Sequence, residues 1–271
     1  MDILIPVITL GGLGLIFGIG LAIASKKFAV HIDARLEKIQ GLLPGSNCGA
    51  CGGAGCFGFA QDLLSGTRSA DGCRVSDDEV KEKIAQLLGK KLEKQVKKCA
   101  VLHCHGGSKR AKDKFEYSGI QDCTAANALL AGPKACEYGC IGYGTCARIC
   151  PFGAITMNEE NLPVINEATC TSCGKCASAC PKKLFTMIPI TNTYAVRCKS
   201  QDIGKKVMDV CSVGCIACRK CEKACPVHAI TIVNNLSVID YSLCDNRGEC
   251  LKVCPTKSIA VKKDKQWTHQ P

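Results

Sequence analysis

The chain has 271 residues, room for two or three domains, and 24 cysteines, about 9% of the total. In so long a chain that proportion excludes ordinary cysteine usage and leaves metal sites or disulfides. Most of the cysteines fall into C-x2-C and C-x3-C-Pro frames, which favours thiolates on metal in a compartment where thiols stay reduced. With aromatics at 5% and 27 glycines, the backbone is expected to crowd around inorganic centres in place of an apolar core.

From Ile3 to Ala24 no residue is charged, and these 22 positions are long enough as a helix to cross the hydrocarbon layer. Residues 1–27 are therefore read as a single-pass transmembrane anchor. A cleaved signal peptide is the competing reading, helped by Ala22-Ile23-Ala24, but its basic leading region is missing because only Asp2 precedes the apolar run. Lys26, Lys27, Arg35 and Lys38 follow the helix, so the positive-inside bias puts all later residues in the cytoplasm, on the inner face of the cell membrane. The small-residue pair Gly14/Gly18 would let a second membrane helix approach closely, although membrane helices tolerate background glycine.

Residues 28–100 read as a small helical domain around one metal site. Ile32, Leu36, Ile39 and Leu43 are near helical spacing, and Pro44-Gly45 ends that helix. Cys48-x2-Cys51-x4-Cys56 and then Cys73 supply four thiolates, with Gly49, Gly52, Gly53 and Gly55 freeing the loop to wrap an iron-sulfur cluster. A zinc ion would also accept four Cys here. Ser76-Asp-Asp-Glu79 reads as a capping box for a helix with Val80, Ile84, Leu87 and Leu88 inside, and with Lys81, Lys83, Lys90, Lys91, Lys94, Lys97 and Lys98 forming a basic exterior.

After a connector at 101–133, residues 134–190 and 191–271 form two modules. Cys170-Thr-Ser-Cys173-Gly-Lys-Cys176-Ala-Ser-Ala-Cys180-Pro181 has the C-x2-C-x2-C-x3-C-Pro spacing of bacterial ferredoxins, in which three thiolates hold one cubane and the fourth crosses to another. Structural zinc usually takes two separated Cys pairs instead. Cys123, Cys136, Cys140, Cys146 and Cys150 recur 75 positions on at Cys198, Cys211, Cys215, Cys221 and Cys225. Cys170, Cys176 and Cys180 recur 74 positions on at Cys244, Cys250 and Cys254, so the modules are tandem duplicates. Ala154-Ile155-Thr156 matches Ala229-Ile230-Thr231, and Val164-Ile165 matches Val238-Ile239, with Asn-rich turns between. Each module is thus expected to carry a small hairpin. The fold class is α+β: an N-terminal membrane helix, a Cys-rich helical domain and two tandem ferredoxin-like modules.

The crossing rule gives two complete sites, Cys150 with Cys170, Cys173 and Cys176, and Cys254 with Cys215, Cys218 and Cys221. Two others lack one thiol each. Tyr143 replaces a ligand beside Cys140, Cys146 and Cys180, where Cys136 is near enough in sequence to substitute. Arg247 replaces one beside Cys225, Cys244 and Cys250, so that site could be a three-iron cluster, take Asp245 or another oxygen ligand, or stand empty. At least three 4Fe-4S clusters, and up to four or five, are expected. Cys123/Cys136 and Cys198/Cys211 recur as C-x12-C, either a paired-thiol feature or buried structural cysteines. His103-Cys104-His105 is either a metal ligand set or a plain turn before Gly106-Gly107.

The membrane helix, the stretch Leu43-Pro44-Gly45-Ser46-Asn47-Cys48-Gly49-x-Cys51-Gly52-x-x-Gly55-Cys56 and the ferredoxin modules together resemble the B subunit of the Rnf complex. Lys134-Ala-Cys136-x-Tyr-Gly-Cys140-Ile-Gly-x-Gly-x-Cys146 and Cys211-Ser-Val-Gly-Cys215-Ile-x-Cys218 carry the same resemblance. It implies an electron-transfer subunit of a membrane-bound, ion-translocating ferredoxin:NAD+ oxidoreductase that takes electrons from reduced ferredoxin and passes them to other membrane and soluble subunits. The family often carries Cys at the position of Arg247, where this chain departs from it. The residues alone point the same way, since clusters on a tether form a wire. No G-x-G-x-x-G after a strand, Walker loop or catalytic triad pattern is present, so no NAD site is expected. Past residue 25 the charge is +12, which would steer an acidic protein such as ferredoxin, unless Lys81 to Lys98 is simply a solvated helix face. A tethered iron-sulfur sensor or nucleic-acid-binding regulator is the alternative of another class, without a recognition motif to support it. A subunit of a different membrane hydrogenase or dehydrogenase is the nearer alternative.

Overall fold

The structure, a computed structural model, describes residues 4–28, 33–90, 96–263 and 266–268. The sequence readings placed on Asp2, Ile3, Ile32, Lys91 and Lys94 lie outside these residues. Helix α1 (Leu4–Lys27) is long and apolar enough to cross a membrane, and it leaves Leu10, Ile16, Phe17 and Leu21 between 64% and 72% exposed. Apolar side chains presented on every side of a helix belong in lipid or against a partner, not in water.

Helix α2 (Ala34–Leu42) starts where the Asp33 carboxylate accepts the Arg35 amide at 2.9 Å, and it buries Leu36 and Ile39. Helix α3 (Gly55–Leu64) turns Phe59, Ala60 and Leu63 onto the same core. Helix α4 (Asp78–Leu88) adds Ile84, with Val80 and Leu88 beside it, and stops at Gly89 in the left-handed conformation. Two details differ from the sequence reading. Asp77, not Ser76, precedes the helix, because the Ser76 hydroxyl turns inward and donates to Cys73 Sγ at 3.0 Å. Leu87 is 41% exposed, since the buried stripe runs through 80, 84 and 88 and passes it by.

The expected hairpins are present. Strand β2 (Ile155–Met157) pairs with β3 (Pro163–Ile165), and β6 (Ile230–Val233) pairs with β7 (Leu236–Ile239), each antiparallel. Asn234 and Asn235 both have positive φ at the second turn, a conformation Asn adopts more readily than most residues. Further strands pair over longer stretches of chain. Strand β1 (Lys98–Leu102), which runs across the expected boundary at residue 100, pairs with β4 (Phe185–Pro189). Strand β5 (Tyr194–Val196) pairs with β8 (Ile259–Lys263), and β8 with β9 (Gln266–Thr268). These non-local pairings were not legible as short runs. Val101, Ile188 and Ala195 bury against one another where the two sheets meet. Lys262 Nζ also reaches Glu167 across the modules at 3.2 Å, with both side chains largely buried.

Candidate metal centres

The first centre is built by a glycine-rich loop feeding α3. Gly55 has φ +77°, and a Cβ there would lie 2.7 Å from Asn47 Oδ1. That oxygen accepts the Cys56 amide at 2.8 Å, so the glycine admits the side chain that fixes the loop. Arg68 donates to the carbonyls of Cys51 and Gly52 from the other side. Cys73 is buried in the small core, with Cys51 and Cys56 packed against it, and Cys48 opens the same loop.

The four ferredoxin-type loops share one backbone. Two residues before Cys146, Cys176, Cys221 and Cys250 stand Gly144, Gly174, Arg219 and Gly248, all left-handed. Two residues earlier again, Gly142, Ser172, Ala217 and Asn246 also have positive φ. Alternating left-handed residues curl each loop so that successive amides point inward at a common anion, an arrangement suited to cluster sulfides. The loops holding Tyr143 and Arg247 keep this curl although a thiol is gone.

Cys150, Cys170, Cys173 and Cys176 line one cavity. Burial pushes Cys176 up to about 12, and the nearby thiols of Cys170, Cys173 and Cys146 add to that. Cys99 lies against this group, its thiol donating to the Ala100 carbonyl at 3.6 Å, and its interaction with Cys170 lowers that thiol to about 6. In the second module Cys221 has Cys215 and Cys254 as neighbours and bonds Ser237 Oγ at 3.3 Å; Cys218 is exposed. Burial works against ionisation of Cys254. The Ser258 hydroxyl, the amides of Ile259 and Ser258 and the Thr256 hydroxyl outweigh it and hold that thiol below its ordinary value.

Cys140, Cys146 and Cys180 come together, but the cysteine beside them is Cys123. Burial raises Cys146 to about 11, with Cys123 and then Cys180 as the next causes. Asp122 places Cys123: its carboxylate caps the helix Cys123–Ala128 through the amides of Thr124 and Ala125, accepts the Thr145 hydroxyl at 2.7 Å and pairs with Arg148 at 2.9 Å. The Cys123 amide in turn donates to Thr145 Oγ1, one residue from Cys146. Cys136 lies elsewhere, in a cavity with Cys104, Cys198 and Cys211. Tyr143 stacks on Tyr117, with ring centroids 5.5 Å apart. Only the pairing of Cys123 with Cys198 in the repeat marked Cys123 as more than a structural thiol.

Cys225, Cys244 and Cys250 are neighbours in the last centre, with Tyr241 beside them. Arg247 points away, 62% exposed, and binds Asp245 at 2.6 Å, so the carboxylate named as a substitute ligand is engaged by the residue that replaced the thiol.

Comparison with known proteins agrees with this picture. A family of Fe-S cluster domains matches residues 43–75, and the 4Fe-4S dicluster domain matches 135–184 and 214–258. The chain is 44% identical to the B subunit of the Na(+)-translocating ferredoxin:NAD(+) oxidoreductase complex of Acetobacterium woodii, over 95% of this chain and 78% of that protein. It is 40% identical to the B subunit of the ion-translocating oxidoreductase complex of Methanosarcina acetivorans, over 93% and 96%. It is 41% identical to the B subunit of the proton-translocating ferredoxin:NAD(+) oxidoreductase complex of Clostridium ljungdahlii, over 91% and 88%.

Proposed function

The chain belongs to the family of B subunits of ion-translocating ferredoxin:NAD+ oxidoreductase complexes, and from that membership we propose how its thiols divide the work. It is an iron-sulfur electron-transfer subunit of such a complex and assembles with the complex's other subunits. Each 4Fe-4S cluster, when bound, takes up and gives back one electron.

The ligand sets we propose are Cys48, Cys51, Cys56 and Cys73; Cys150, Cys170, Cys173 and Cys176; Cys215, Cys218, Cys221 and Cys254; and Cys123, Cys140, Cys146 and Cys180. In the last of these Cys123 takes the place that the sequence reading gave to Cys136. Cys225, Cys244 and Cys250 form a three-thiol site. The observation that carries the assignment is the single cavity shared by Cys150 and the three loop cysteines, the arrangement the crossing rule requires. Within a module the sites adjoin, because Cys146 of one is a neighbour of Cys176 of the other, and Cys221 of Cys250. Hydroxyls on the sulfurs of Cys73, Cys221 and Cys254 tune two of these sites, as outer groups do for metal ligands generally.

The electron donor in this reading is reduced ferredoxin, an acidic protein drawn by the charge of +12 past residue 25. Lys90, Lys97 and Lys98 are exposed and open to it, whereas Lys81 and Lys83 are paired with Asp78 and Glu79 on their own helix. Helix α1 anchors the chain in the membrane, with the basic residues after it holding the iron-sulfur domains in the cytoplasm. The domain plan of an anchor, a single-cluster domain and two ferredoxin-like modules belongs to the same reading. Anaerobic titration of the purified chain with reduced low-potential ferredoxin, followed in the visible spectrum, tests it. Bleaching of the iron-sulfur absorption is expected. A chain bleached by dithionite but not by ferredoxin would refute the donor assignment.

A further inference from the structure

We propose that Cys104, Cys136, Cys198 and Cys211 hold a further iron-sulfur cluster, placed between the two ferredoxin modules, with Arg197 as its buried counter-charge. The proposal rests on the reading of this chain as a multi-cluster carrier and adds a site that no ferredoxin frame in the sequence contains.

The four thiols line one cavity, as Cys150, Cys170, Cys173 and Cys176 line another. They arrive from four separate segments. Cys104 follows β1, where the His103 ring bonds the Val196 carbonyl at 2.6 Å. Cys198 follows β5. The segment 110–113 stitches in the other two: Lys112 donates to the Val210 carbonyl at 2.9 Å and accepts from the Ala135 amide at 2.9 Å, while Ser212 donates to the Arg110 carbonyl. So much non-local bonding delivers four cysteines to one place, which four idle structural thiols do not need.

Each of the four sulfurs also faces a backbone amide, the donor that thiolate ligands of clusters use. The Cys140 amide donates to Cys104 Sγ at 3.3 Å, and the Ser200 amide to Cys198 Sγ at 3.5 Å. Tyr138 serves Cys136, and Val213 and Gly214 serve Cys211. The four thiols line a shared space, as ligands to the separate irons of a cluster would.

Arg197 is the second, independent observation. It lines the same cavity with only 7% of its surface exposed, it donates to the Cys104 carbonyl at 3.4 Å, and its Nε has no hydrogen-bond partner. No ion pair joins it to a carboxylate among the described residues; the groups that favour its cation are the thiols of Cys104 and Cys140. A buried guanidinium without an anion is costly. Four thiolates on a cubane carry net negative charge in both usual oxidation states and supply that anion.

The location gives the site its use. Cys104 touches the Cys140 amide of the first module, and Cys198 accepts from the Cys215 amide of the second. One electron leaving a cluster of either module, which is thereby oxidised, reduces the central cluster and passes on to the other module. The centres then form one continuous row.

The test uses the full chain, purified without oxygen. Cys211→Ser and Cys198→Ser should each lose about four irons and as many sulfides per chain, and the double variant no more than either, since both serve one cluster. The EPR signals of the other centres should persist. Unchanged iron in the single variants, additive losses in the double variant, or loss of one zinc ion in place of iron would overturn the proposal. Because a variant can misfold, electron cryomicroscopy of the wild-type complex gives a second reading. Cubane density bonded to the four sulfurs supports the site; no density, or that of a single ion, rejects it.

Discussion

Replacing Arg247 by Cys should convert the last centre into a four-thiol site at almost no cost in stability. The Arg247 side chain is 62% exposed and its one ion pair, to Asp245, is with a carboxylate that is itself 33% exposed. Pairs of that kind contribute about 0–1 kcal/mol. The backbone needs no adjustment, because Asn246 and Gly248 already have φ +62° and +81°, against +59° and +81° at Ser172 and Gly174 around Cys173. A new thiol at 247 therefore enters a loop that already has the ligand-binding curl. Iron should rise by about one per chain if the native site holds a three-iron cluster, and by about four if it holds none. The oxidised three-iron EPR signal should disappear, or a new reduced four-iron signal appear, with the melting temperature within about 2 °C of wild type. Unchanged iron and an unchanged spectrum would mean that a ligand from elsewhere already completes the site, and the three-thiol assignment would fall.

Asp122→Ala should remove a helix cap, typically about 1 kcal/mol, together with a half-exposed ion pair worth about 0–1 kcal/mol, for a total of about 1–2 kcal/mol. A calorimetric melting point lowered by about 2–6 °C, with loss of one EPR signal as Cys123 drifts, is the expected outcome; an intact cluster complement would show that Asp122 does not place Cys123. The same carboxyl is held below its ordinary pKa, chiefly by the Thr145 hydroxyl, so its contribution is complete above the unfolded carboxylate range and is lost as pH falls through the lower, folded value. Acid titration of the wild type should show that loss and Asp122→Ala should not. Removing residues 1–25 should yield a soluble chain that still accepts electrons but separates from its membrane partners; a truncated chain that stays bound through detergent and salt would place the attachment in the iron-sulfur domains. Cys173→Ala should damage one cluster while leaving that of Cys48, Cys51, Cys56 and Cys73 intact, and simultaneous loss of all EPR signals would show that the modules are not independent.

What the sequence made legible was local. The ferredoxin frames, the duplicated hairpins around Ile155 and Ile230 and the helix ending at Pro44 all depend on residues within a turn or two of one another, where spacing alone fixes geometry. The capping residue of α4 was misread because Ser76 had a better partner, the Cys73 sulfur, that only the folded loop supplies. Strands β1, β4, β5 and β8 and the meeting of Cys104, Cys136, Cys198 and Cys211 depend on segments far apart in the chain. No local period announces such contacts. The C-x12-C repeat was the one trace of them, and its two copies serve different neighbours: Cys123 lies with Cys140 and Cys146, whereas its counterpart Cys198 lies with Cys104 and Cys211. A duplication predicts equal spacing and says nothing about divergence between the copies.

The central claim, that these thiols hold the path between ferredoxin and the rest of the complex, is tested most directly by the assembled complex carrying Cys173→Ser. Ferredoxin-driven NAD+ reduction and NADH oxidation by an artificial dye would be measured in the same preparation. The account expects the first to collapse while the second, which needs no passage through this chain, is retained. A ferredoxin-driven rate equal to that of wild type, in a preparation shown to lack the Cys173 cluster, would contradict it.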